Sequence, residues 1–107
     1  MTPLLLVQTT LPSEAAATAM AGALIEGRLA ACVQASPIRS TYRWEGTVER
    51  ADEVRLDIKT TPEALDRLLA FLRAHHPYEE PEVLVMEAQA SDGYAAWGAA
   101  AVTAPEA

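Results

Sequence analysis

The run His75-His76-Pro77-Tyr78-Glu79-Glu80-Pro81-Glu82 places two imidazoles, a phenol and three carboxylates around a pair of prolines. Imidazole nitrogens suit copper, zinc and nickel, and the neighbouring carboxylates make the segment attractive to cations. The same groups, His76, Tyr78 and Glu79, are also the raw material of proton-transfer catalysis. Adjacent residues diverge by about 100° around a helix and point to opposite faces in a strand, so His75 and His76 do not chelate one ion unaided. A shared site needs irregular backbone or ligands from another subunit. A histidine at a helix C-terminus also gains from the dipole when charged, whereas a metal requires it neutral. The simpler role is therefore structural: histidines that cap the last helical carbonyls and prolines that fix a turn.

Few other residues suggest chemistry. Cys32, the single cysteine, sits among small apolar neighbours; its bland reading is inert packing and its sharper one a thiolate ligand. Tyr42 and Trp44 read as interface anchors. The chain has no Walker A, GxGxxG, GxSxG or HExxH pattern, and no nucleophile and base pair can be picked out. The expectation is that the protein is not an enzyme.

These side chains are carried by a chain of 107 residues, one domain by length, with a modest core that partner subunits would help to complete. Half of its residues are apolar and the net charge is -7, which fits a globular protein and repels phosphate backbones, so nucleic acid is not an expected partner. No apolar run approaches the roughly 20 residues of a membrane span, and the N-terminus lacks the pattern of a signal peptide. One cysteine forms no internal disulfide, and a cytoplasmic location is expected. Residues 103–107 are expected to fray.

The elements that must position the candidate residues follow from hydrophobic period. Pro3 to Thr9 is a short apolar run suited to a central strand. Ser13 is a helix N-cap, and Ala17, Met20, Ala21, Leu24 and Ile25 recur on one helical face, ending near Gly27-Arg28. Residues 30–60 form two long strands turning at Glu45-Gly46, with a bulge or bend expected at Pro37. In the second of these strands Val54, Leu56 and Ile58 point to the core, while Glu53, Arg55, Asp57 and Lys59 point away. A helix starts at Thr60 to Glu63, carries Leu65, Leu68, Leu69 and Leu72 as its apolar stripe, and ends near His76 because Pro77 disfavours helical geometry there. Glu82 to Ala88 reads as a fourth strand. Asp92 opens a last helix in which Tyr94, Trp97 and Ala101 share a face.

The order β-α-β-β-α-β plus a C-terminal helix is the α+β, ferredoxin-like, split βαβ pattern: an antiparallel sheet with two helices on one face. Strands of about 14 residues at ~3.3 Å per residue outreach a domain of this size, so the hairpin carrying Tyr42 and Trp44 must project. Its unpaired edges and aromatic area suit a neighbouring subunit, and an obligate homo-oligomer is expected.

In these segments the sequence resembles the CutA divalent-cation tolerance proteins. The resemblance is carried by TTLPSEAAA, LAACV at Leu29 to Val33, YRWEGTVE at Tyr42 to Glu49, LDIKTT at Leu56 to Thr61, HHPYEEPEV at His75 to Val83, and YAAW at Tyr94 to Trp97. It implies a homotrimer of ferredoxin-like subunits, built like the PII-type signalling proteins and associated with copper and other divalent metals. It further implies metal ligation by the paired histidines, His75 and His76, and by a cysteine in the TxPxE segment. Thr9 stands at that cysteine's position here, and Cys32 is the one thiolate the chain offers. Two other readings stay open: a PII-like sensor of a small anion or nucleotide at the subunit clefts, and an acid/base enzyme built there from Tyr78, His76 and Glu79.

Overall fold

In the computed structural model residues 1–103 are described; the fraying expected of the tail falls, from residue 104 on, outside them. The elements run β1 (Thr2–Leu11), α1 (Glu14–Glu26), β2 (Cys32–Trp44), β3 (Thr47–Thr60), α2 (Leu65–His75), β4 (Leu84–Ala90) and α3 (Asp92–Val102). The strands pair antiparallel in the order β2-β3-β1-β4, the expected α+β ferredoxin-like arrangement. Among the described residues no helix is long and apolar enough to cross a membrane.

The core lies between one face of the sheet and the first two helices. Ser13 accepts from the Ala16 N–H and starts α1, which buries Ala17, Met20 and Leu24. Leu68 and Leu72 of α2 meet them over Val7, Leu11, Val54, Leu56 and Ile58. Burying an aliphatic side chain fully stabilises by about 1.5–3 kcal/mol, so these positions dominate the folding of a small chain. α1 ends at Gly27, but the left-handed residue is Arg28, at φ 55°.

The β2-β3 hairpin turns through Glu45 (φ 50°) and Gly46 (φ 81°), two successive positive φ values that match the twist of the flanking strands. The register then runs unshifted from Trp44 opposite Thr47, through Pro37 opposite Val54, to Cys32 opposite Lys59. Of the bulge or bend expected at Pro37, the unshifted register rules out the bulge. β2 is an edge strand, where a proline is accommodated without breaking a ladder. The ribbon projects as expected: residues 41–50 are all exposed, and the molecule measures 48 × 30 × 21 Å.

Three other boundaries differ from expectation. Thr61 Oγ1 accepts from the Ala64 N–H and closes a turn, so α2 begins only at Leu65. β4 starts at Leu84 rather than Glu82; its register with β1 would put Glu82 opposite Thr10, whose carbonyl is taken by His76. The sheet face away from α1 and α2 is not left wholly bare, because α3 covers one end of it. A Cβ on Gly98 would sit 3.7 Å from Leu4 and Ala31, so the glycine lets the helix lie close to the sheet. α3 buries Ala95, Gly98 and Val102. Tyr94 and Trp97 do share a face, the outer one, at 38% and 51% exposure with their rings 5.5 Å apart.

Candidate functional site

Pro77 separates the fates of the two histidines. His75 is the last residue of α2, exposed, with its ring 4.3 Å from that of Phe71 one turn earlier. His76 is already extended (φ -70°, ψ 136°), and its N–H closes the helix on the Leu72 carbonyl at 2.9 Å. The change of backbone geometry sends the two rings to different surroundings.

The His76 ring is engaged at both nitrogens. Nδ1 accepts from the Tyr78 N–H at 3.0 Å, which leaves the ring proton on Nε2. Nε2 in turn lies 3.0 Å from the Thr10 carbonyl oxygen, to which it donates, and 3.1 Å from Thr9 Oγ1. Burial pushes the His76 pKa below the usual histidine value, opposed in part by the bond to Thr10. A neutral ring with one donor and one acceptor fits this pocket; a charged one would set an N–H against the Tyr78 N–H. His76 thus works as a clasp joining the end of α2, the loop after it and β1.

Tyr78 extends the clasp to the hairpin. Its hydroxyl donates to Glu53 Oε2 at 2.7 Å. Burial, then the bond to the Glu53 carboxylate and its charge, pushes the phenol pKa well above its ordinary 10. Tyr78 therefore stays protonated and serves as a donor, not as a base. The alternation of β3 already pointed Glu53 away from the core, but nothing local in the sequence pairs it with Tyr78.

Loop and hairpin enclose a cleft of about 1180 Å³. Tyr42, Trp44 and Glu53 wall it on the hairpin side, and Tyr78, Glu79, Glu80 and Glu82 on the loop side. Tyr42 and Trp44 are 45% and 58% exposed. Four carboxylates thus share a cavity with three aromatic rings. They do not converge on a point: among the described residues no group of three or more His, Cys, Asp or Glu side chains is placed to hold a metal ion. Cys32 stands apart as well. It is opposite Lys59, at the other end of the paired register from Arg55, which faces Thr10 and its His76 contact. Within one chain His75, His76 and Cys32 are not brought together, and the residues present do not form a preformed chelate.

The family model for the CutA1 divalent ion tolerance protein matches residues 5–101. The chain belongs to the CutA1 family. It is 42% identical over 90 residues to the divalent-cation tolerance protein CutA of Pectobacterium atrosepticum, covering 82% of either chain. Against that of Thermus thermophilus it is 42% identical over 93 residues, covering 85% of this chain and 90% of the relative. Its fold superposes on the structure of CutA from Synechococcus elongatus with a TM-score of 0.92 at 40% identity, covering 96% of this chain and 93% of that one. The likeness takes in every element that builds the clasp and the cleft.

Proposed function

We propose that the protein serves divalent-cation tolerance as a cytoplasmic homotrimer that catalyses no reaction and meets copper or another divalent ion weakly. The observation that carries assembly is β4. Leu84, Val85 and Met86 are 51%, 43% and 40% exposed, so consecutive side chains are uncovered on both faces of an edge strand. Trp44 and Trp97 add exposed aromatic area of the kind that protein interfaces bury. The number three rests on family likeness.

The ligand geometry supports a weak site rather than a tight one. With both His76 nitrogens engaged, the exposed imidazole of His75 is the accessible donor, and ligands from a neighbouring subunit would have to complete its coordination. Cys32, half-buried and free, is the only thiol and suits a reducing compartment.

Light scattering should give three times the 11.5 kDa chain mass; a monomer at micromolar concentration would defeat the assembly. Copper titration under chelator competition should show weak affinity that falls on His75→Ala and changes little on Cys32→Ser. Equal affinity in wild type and His75→Ala would remove this ligand. Thermal stabilisation by ATP but not by copper would favour a nucleotide sensor instead.

A further inference from the structure

The sheet face away from α1 and α2 carries charge that a single subunit does not fully satisfy. Gln8, Arg55 and Asp57 project from it, since they alternate with Val7, Val54, Leu56 and Ile58, which point to the core. Gln8 Nε2 donates to Asp57 Oδ1 at 2.8 Å, while Arg55 Nε reaches the same oxygen only at 3.6 Å, too far for a hydrogen bond. Arg55 Nε is nevertheless shielded from solvent and has no hydrogen-bond partner among the described residues. The same holds for Ser36 Oγ, directly opposite Arg55 in the β2-β3 register. Polar groups shielded without a partner are costly, and a charged one most of all.

What could complete them lies outside the subunit. α3 covers only one end of the face, against Leu4 and Ala31. On the same face Leu84 and Met86 of β4, opposite Gln8 and Leu6, stand exposed beside the polar group. Arg55 and Asp57 keep 41% and 24% of their side chains accessible, so both remain within reach of a partner. Neither lines the hairpin cleft, so the occupant lies over a surface and not in that cavity. Both contacts of Asp57 use Oδ1, which lets Oδ2 accept from outside. With an undersatisfied donor and an available acceptor side by side, the face is complementary to a second copy of itself.

We propose that this face is a contact between copies of the chain, keyed by charge: Arg55 of each subunit donates to the partner subunit's Asp57, head to tail around a closed ring. The inference rests on the assembly proposed above and specifies what covers the face and in which sense it pairs. An apolar partner would strand the Arg55 charge, whereas a second copy brings the acceptor with it. Such a pair rejects wrong partners and wrong registers more than it adds affinity.

The test is the mass, by light scattering, of Arg55→Asp and Asp57→Arg, each alone and then mixed in equal amounts. Each alone should keep the circular dichroism of the wild type but give a lower mass, because like charges then meet at every contact. The mixture should regain the wild-type mass, since its rings hold matched contacts that neither variant can make with itself. An ion pair confined to one subunit is not repaired by mixing, so a mixture that stays at the lower mass would overturn the inference. So would either variant keeping the wild-type mass alone. A wild type that is itself monomeric would defeat the assembly, and this contact with it. The neutral variants Arg55→Gln and Asp57→Asn, which introduce no repulsion, should each speed subunit exchange of the folded oligomer roughly tenfold or more. An unchanged exchange rate in both would also overturn the pairing.

Discussion

The Tyr78 hydroxyl and Glu53 Oε2 are 2.7 Å apart, although the residues are separated by an α-helix and half of a strand. This bond ties the loop after α2 to the base of the projecting hairpin. It also holds the two walls of the cleft at a fixed spacing.

Tyr78→Phe removes the donor and leaves the Glu53 carboxylate half-buried without it. Hydrogen bonds to charged groups contribute about 1.5–3 kcal/mol, and partial exposure puts this one near the low end. Denaturant unfolding should show a loss of about 1–1.5 kcal/mol. A double-mutant cycle with Glu53→Gln should show that the two changes are not additive.

The pH dependence of stability carries the signature of His76. Its folded pKa lies below the ordinary 6.5, so between the two values the unfolded chain binds more protons and stability rises with pH. The contribution is fully present above pH 6.5 and is lost as pH falls through the folded pKa. Chemical denaturation between pH 7.5 and 5 should show this decline in the wild type and a flatter curve in His76→Gln. An unchanged slope would refute the neutral clasp.

At the hairpin tip the cost of substitution is a backbone cost. A side chain on Gly46 meets nothing within 4 Å, yet its φ of 81° is strained for any L residue. Gly46→Val should destabilise by about 1–2 kcal/mol, and Gly46→Asn by clearly less, measured by thermal unfolding.

Core and edge should respond differently. Leu56 is fully buried, so Leu56→Ala should cost about 2–5 kcal/mol. Leu84 is half-exposed on β4; Leu84→Glu should leave the circular dichroism of the subunit unchanged but lower the mass seen by light scattering.

Where side-chain period carried the information, the fold was legible in the sequence. The alternation of Val54, Leu56 and Ile58 gave β3 its buried face, and Ser13 gave α1 its start. Boundaries set by long-range contacts were not legible. β4 starts late because an imidazole from the end of α2 occupies the Thr10 carbonyl, and no local pattern encodes that. The candidate site was legible only as composition. The eight-residue run named His76 and Tyr78, but their partners Thr10 and Glu53 lie 66 and 25 positions away. At Pro37 the residue type allowed a bulge or a bend, and no bulge forms because β2 lies at an edge, where a proline keeps the register.

The two sheet edges are unequally guarded against stray strands. β2 carries Pro37, Arg39 and Arg43 along its length, the kind of residues that discourage indiscriminate pairing. β4 reads Leu84-Val85-Met86-Glu87-Ala88-Gln89-Ala90, with Glu87 as its only charge. Of the two edges of an isolated subunit, β4 is thus the less guarded one. Newly made chains that wait for partners would misassociate through β4 first, and their yield would depend on how quickly that side is capped.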